Sequence, residues 1–231
     1  MSNDSEQGRT AVLFDIDGTL VDSNYLHIDA WERAFAAVGH PVDSWRIHRS
    51  IGMDSGKLLE SLLGDDADAL GDAAKDRHSE FYLQNTGRLR PFAGARELLA
   101  EVGHRGHRVV LATSAPENEL EILLDVLDAG PSIEAVTSAE DADTAKPDPT
   151  IIQIAIEKAG VPAGSAVMVG DSVWDIVAAE RAGVASIGLL SGGFGRQELL
   201  DAGAEAVYDD VAELLRELDG SLLAGPSTLE G

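Results

Sequence analysis

Carboxylates recur in this sequence where short apolar runs end. Ala11-Val12-Leu13-Phe14 leads into Asp15-Ile16-Asp17-Gly18-Thr19. Val167-Met168-Val169 leads into Gly170-Asp171-Ser172, with Asp175 one helical turn beyond. The run 108–112 ends at Thr113-Ser114, and Lys146 stands just before Pro147 and Pro149. Carboxylates, hydroxyls and one ammonium converging on one place describe a hard-cation site that faces a phosphate. Asp15 and Asp17 are so close in sequence that their charges repel, and a divalent cation or a proton must compensate. This favours metal at Asp15 and separate acid–base work at Asp17. Each residue alone has a bland alternative. Asp-Gly is a common turn; Thr19, Thr113 and Asp171 suit helix caps; Asp175 suits a first helical turn; a lone lysine is commonly solvated. All of them occurring in order, at successive strand ends, point instead to chemistry.

The elements that position these residues follow from hydrophobic patterning. Short apolar runs at 11–15, 108–112, 135–137, 166–169, 185–189 and 207–208 read as buried strands. Helical spacing separates them over 94–103, 117–127, 149–159, 173–182 and 211–218. Strands alternating with helices predict an α/β fold, a doubly wound, Rossmann-like parallel sheet. In such sheets ligands bind beyond the C-terminal strand ends, where the polar residues lie. Between the first and second strands, residues 22–90 carry only helical patterns, including 23–38, Leu58-Leu59-Leu62-Leu63 and 67–83. This block predicts an inserted α-helical cap domain, with hinges near 21–23 and 90–91. The core domain then takes 1–21 and 91–220. The first ten residues and 221–231 read as flexible tails. Ser191-Gly192-Gly193-Phe194-Gly195 lacks a nucleotide-binding fingerprint and reads as a turn before the final helix.

Composition sets the outer limits. The 231 residues carry 41 acidic against 17 basic side chains, a formal charge of −24. Binding to nucleic acid or to an anionic membrane through a basic surface is disfavoured. There is no cysteine, which excludes disulfides, thiolate catalysis and Cys-ligated metals. No apolar run is long enough to span a bilayer, and 1–10 has no secretory pattern. A cytoplasmic protein, monomer or homodimer, is expected.

The set Asp15-Ile16-Asp17-Gly18-Thr19-Leu20-Val21-Asp22-Ser23, Thr113, Lys146-Pro147-Asp148-Pro149 and Gly170-Asp171-Ser172-Val173-Trp174-Asp175 resembles the haloacid dehalogenase superfamily. The helical insertion is similar to that of its phosphoglycolate phosphatase and beta-phosphoglucomutase branch, and Arg90-Pro91-Phe92-Ala93-Gly94 resembles that branch's return hinge. The resemblance implies a Mg²⁺-dependent phosphatase acting on a small phosphorylated metabolite. It implies that Asp15 attacks phosphorus and becomes an aspartyl-phosphate. Asp17 protonates the leaving oxygen and then activates water. Thr113, Ser114 and Lys146 hold phosphate oxygens. Asp15, the main-chain carbonyl of Asp17, and Asp171 bind Mg²⁺, supported by Gly18 and Asp175. Dehalogenases and phosphonatases of the superfamily lack an aspartate at the position of Asp17, so its presence argues for phosphate esters.

His27 occupies a position similar to a hinge histidine of the mutases, against the alternative of a helix-surface histidine. Arg49, Met53 and Lys57 are candidates for contact with substrate, against a solvated helix face. Trp31, Phe35, Trp45, Phe81 and Tyr82 read as cap core, and Trp174 as packing on the sheet or shielding the site rim. A sugar-phosphate mutase of the same branch is the alternative enzyme. A receiver domain is disfavoured by the early position of Asp15, and a catalytically idle phospho-ligand-binding protein by the complete residue set.

Overall fold

The computed structural model describes residues 10–142, 144 and 146–224. The chain starts with β1 (Ala11–Phe14), then passes through four helices: α1 (Asn24–Ala37), α2 (Ser44–Ser50), α3 (Ser55–Leu63) and α4 (Ala67–Leu83). It returns through α5 (Ala95–His104) to β2 (Arg108–Ala112), α6 (Glu117–Leu127), β3 (Ala135–Thr137) and α7 (Thr150–Ala159). β4 (Ala166–Gly170), α8 (Val173–Ala182), β5 (Ala185–Leu189), α9 (Arg196–Asp201), β6 (Ala206–Tyr208) and α10 (Val211–Arg216) complete it. The strands form one sheet in the order β3-β2-β1-β4-β5-β6, and every pairing is parallel. This is the Rossmann-like, doubly wound sheet. Its direction of winding reverses between β1 and β4, and there a crevice opens beyond the strand ends.

The two-residue period of the strands divides their side chains between two faces. Val12 and Phe14 join Leu98, Leu99, Leu123 and Leu214 beneath α5, α6 and α10. Leu13 joins Met168, Ile151, Ile152 and Ala178 beneath α7 and α8. Each fully buried Leu or Phe contributes roughly 1.5–3 kcal/mol. The sheet is therefore a rigid platform for what protrudes from its end. The helical block has its own core, in which Ile28, Trp31, Phe35, Ile47, Leu59 and Leu62 pack. Its two connections to the sheet lie side by side. Val21 pairs antiparallel with Pro91, the Asp22 N–H donates to the Arg90 carbonyl at 2.9 Å, and the Phe92 N–H donates to the Leu20 carbonyl at 2.9 Å.

Local reading and structure differ in several places. Trp45 is exposed rather than cap core: α2 turns Ile47 inward, and a residue two positions away lies about 200° round the helix, on the opposite face. Phe81 is half-buried with the Arg33 guanidinium 4.1 Å over its ring. Residues 191–195 do not lead directly to the final helix; α9 and β6 intervene. Thr10 is no part of a flexible tail, because its carbonyl accepts from the Arg108 N–H at 2.9 Å and extends the β1–β2 pairing. Leu223 is fully buried in the core, so packed chain continues past Gly220. The remainder of both expected tails, 1–9 and 225–231, lies outside the described residues. Among the described residues, no helix is long and apolar enough to cross a membrane.

Candidate active site

Asp15 leaves β1 directly opposite the end of β4, and its N–H donates to the Val169 carbonyl at 3.0 Å. The segment 16–21 then folds back on itself. The N–H groups of Leu20 and Val21 both donate to the Ile16 carbonyl, and Gly18 turns with φ at +77°. A Cβ on Gly18 would lie 2.5 Å from Asp171 Oδ2 and 2.2 Å from Asn24 Nδ2. Only glycine admits both this turn and that close approach.

The folded-back loop brings Asp15 and Asp171 together from adjacent strands. One oxygen each of Asp15, Asp171 and Asp175 lies within 4.8 Å of the others, and all three residues are buried. Lys146 Nζ sits among them, 2.5 Å from Asp15 Oδ1 and 2.7 Å from Asp175 Oδ1. Its ammonium is held well above its ordinary range: burial opposes the charge, but Asp15 and Asp175 together outweigh burial. Asp175 also closes a capping box, accepting from the Ser172 N–H at 3.1 Å and the Ser172 hydroxyl at 2.6 Å. One side chain thus fixes both the helix start and the lysine.

Thr19 is not the helix cap its position suggested. Its hydroxyl donates to Asp171 Oδ1 at 2.8 Å, and Asn24 Nδ2 donates to Asp171 Oδ2 at 2.8 Å. Three carboxylates facing one lysine leave an excess of negative charge. Burial first, and then neighbouring carboxylates, push Asp15 up to about 7, even though Lys146 pulls the other way. Burial and the charges of Asp175 and Asp15 raise Asp171 as well. A divalent cation fits this donor set, because it would satisfy hard oxygen ligands and remove the repulsion.

Asp17 faces the same cavity but has different partners. Its Oδ1 accepts from the Ser23 hydroxyl at 2.6 Å and lies 3.3 Å from His27 Nε2. Burial disfavours its charge, but the hydrogen bond and charge of His27, together with Ser23, hold the carboxyl below its ordinary value. Correspondingly, burial lowers the His27 pKa but Asp17 outweighs it, so His27 is raised. His27 is therefore not a helix-surface histidine. Its ring stacks on Tyr82 at 4.0 Å and lies 3.1 Å from His78 Nε2.

These groups open on a cavity of about 610 Å³ between the strand ends and the helical block, lined by Asp15, Asp17, His27, Thr113, Ser114, Lys146 and Asp171. Thr113 is buried, and its hydroxyl oxygen accepts from the Ala115 N–H at 3.0 Å. The Ser114 hydroxyl is buried with no partner among the described residues. Met53 also lines the cavity, whereas Arg49 and Lys57 do not. Arg49 instead pairs with Glu198 at 2.6 Å and covers the Phe194 ring at 4.5 Å. Lys57 points to solvent, and its N–H donates to the α3 cap, Asp54. Trp174 is half-buried at the seam, where a Cβ on Gly52 would meet it at 3.2 Å.

Sequence reading missed Asn24, His78, Lys75, Glu119 and Gly192. A Cβ on Gly192 would lie 1.8 Å from Asp171 Oδ2, so the 191–195 turn packs against the acidic cluster. Only the density of glycine there gave any signal.

Comparison with known proteins identifies the family. The family described as haloacid dehalogenase-like hydrolase matches residues 12–189. The chain belongs to this family and is an enzyme, a hydrolase of the phosphatase kind. It is 33% identical over 214 residues to a phosphoglycolate phosphatase of Rhodospirillum rubrum, covering 88% of each chain. It is 29% identical over 215 residues to a phosphorylated carbohydrates phosphatase of Thermotoga maritima, covering 90% of this chain and 99% of that one. The crystal structure of a hydrolase from Pseudomonas syringae superposes with a TM-score of 0.87 at 36% identity, covering 92% of this chain and 99% of that one.

Proposed function

We propose that this enzyme is a Mg²⁺-dependent phosphatase that hydrolyses a small phosphorylated metabolite through an aspartyl-phosphate on Asp15. The observation that carries this reading is the Asp15 carboxylate, buried against Lys146 at 2.5 Å and opening on one cavity with Asp17, Thr113 and Asp171. Asp15 and Asp171, with the main-chain carbonyl of Asp17, would hold the cation. When bound, it supplies charge neutralisation that lets an anionic carboxylate approach an anionic phosphoryl group.

Asp15 attacks phosphorus, the bond to the leaving oxygen breaks, and that oxygen takes its proton from Asp17. Water then attacks phosphorus in the aspartyl-phosphate, giving up its proton to Asp17 and freeing Asp15 and inorganic phosphate. The raised His27, 3.3 Å from Asp17, keeps a proton beside the group that needs one in the first half and receives one in the second. Thr113, Ser114 and Lys146 donate to phosphoryl oxygens, where the charge of the transition state spreads. Residues 22–90 act as a cap domain over a core of 1–21 and 91–220, and the paired connections at 21–22 and 90–92 are its hinge. Closure keeps bulk water from the aspartyl-phosphate.

Phosphate release from a panel of phosphomonoesters, with Mg²⁺ or with EDTA, tests this. Release that EDTA abolishes, and that Asp15→Asn lowers by roughly 10³-fold or more, is expected for loss of a nucleophile. Undiminished release by Asp15→Asn overturns the assignment.

A further inference from the structure

We propose that Glu119 is the specificity-determining residue for the leaving group, and that the substrate is a phosphate ester of an alcohol carrying a hydroxyl or ammonium donor and no second anionic group. This rests on the phosphatase reading above.

Glu119 is the third residue of α6, whose N-cap is Pro116. An acid at that position ordinarily reaches back to the N–H of the N-cap residue, as Asp175 reaches Ser172 at the start of α8. Proline has no N–H, so Glu119 is denied that partner. It is nonetheless only 5% exposed, and its carboxyl has no hydrogen-bond or ion-pair partner among the described residues. It lines the same cavity as His27 of α1, Lys75 of α4 and Asp17, whose charges all act on it. A largely buried carboxyl that faces the cavity without a protein partner is only partly compensated for the water it has lost. A donor on the substrate would recover that loss; an anion would worsen it.

The rest of the wall has the same sign. Apart from the groups assigned to the reaction, Asp54, Asp76, Glu119 and Glu140 line the cavity against Lys75 alone among lysines and arginines of the described residues. Arg49, a candidate anion binder, is occupied by Glu198 outside it. A leaving group bearing a carboxylate or a second phosphate therefore meets net repulsion. A buried polar group left unpaired by the wrong substrate discriminates strongly.

Three esters of matched size isolate the sign of the remote group: phosphoglycolate (carboxylate), 2-hydroxyethyl phosphate (hydroxyl) and ethanolamine phosphate (ammonium). Their kcat/KM values are measured with Mg²⁺ for the wild-type chain, Glu119→Gln and Glu119→Lys. For the wild type, one or both of the hydroxyl and ammonium esters should exceed phosphoglycolate by at least about tenfold. Which of the two leads identifies the donor. Glu119→Gln should narrow the ratio, and Glu119→Lys should invert it toward phosphoglycolate. A ratio between substrates does not move if Glu119 merely supports the fold. A preference for phosphoglycolate by the wild type, or ratios unchanged in both variants, overturns this inference and leaves the phosphatase reading intact. Absence of release from every ester, including the larger panel above, overturns the reading on which it rests.

Discussion

Lys146→Met removes the one cation inside the acidic cluster while keeping a side chain of similar length. Lys146 is 3% exposed and pairs with Asp15 at 2.5 Å and Asp175 at 2.7 Å, both buried. Breaking a buried pair from one side costs about 3–5 kcal/mol, because the remaining charges stay desolvated. For a chain this long, each kcal/mol moves the melting temperature by about 2–4 °C. The variant should therefore melt about 6–20 °C lower in EDTA. Lys158 provides the contrast: it pairs with Asp141 at 2.8 Å, but with side chains 34% and 31% exposed. Water screens that pair, so Lys158→Met should lose about 1 kcal/mol at most. The double variant Lys146→Met/Asp15→Asn removes a carboxylate together with its cation. It should lose less than the sum of the two single variants, by about 0.5–3 kcal/mol of coupling. Urea denaturation in EDTA measures the wild type, the three single variants Lys146→Met, Asp15→Asn and Lys158→Met, and the double variant. Equal losses for Lys146→Met and Lys158→Met, or strict additivity in the double variant, would refute the reasoning.

Gly192→Ala should cost about 1–3 kcal/mol, because the new Cβ falls 1.8 Å from Oδ2 of Asp171, which Asn24 holds while Thr19 holds Oδ1; a loss under about 0.5 kcal/mol in urea denaturation would contradict the close packing. His78 gives a test by pH. Burial, then the charges of His27 and Lys75, push it down to about 2, whereas the unfolded chain takes up that proton near 6.5. The unfolded state thus binds more protons below 6.5, and stability from this group is lost as pH falls through that value, by about 1.4 kcal/mol per unit. Asp15, raised to about 7, works in the opposite direction over the same window, so the comparison must be between proteins. From pH 7.5 to pH 5, His78→Phe should gain about 2 kcal/mol relative to wild type, and a constant difference would sink the assignment of a neutral, buried His78.

The residues at the strand ends are legible in the sequence because each follows from a local rule. Short, continuous apolar runs define Ala11–Phe14 and Ala166–Gly170, and a parallel sheet must deliver Asp15 and Asp171 to the same edge. Helix ends are similarly legible, since Gly160 and Gly183 close α7 and α8 in the left-handed conformation. What sequence could not decide is which way a helical side chain faces once several elements pack together. Trp45 and Ile47 carry similar hydrophobic weight, yet the packing of α2 against α1 and α3 buries one and exposes the other. Arg49 and Lys57 suited a substrate wall by charge, but Glu198, 149 residues away in sequence, claims the first and solvent the second. Thr19 suited a helix cap until β4 brought Asp171 beside it and beside Asn24, which carried no local signal. Glu119 stands in the first turn of α6, and only the packed elements place it on one cavity with His27 of α1 and Lys75 of α4. Sequence by itself determined the order of the elements and the residues at the sheet edge, because backbone pairing and hydrophobic patterning are short-range. Tertiary structure alone decided the partners of each charge and the lining of the cavity, because desolvation and pairing depend on neighbours that chain order does not place.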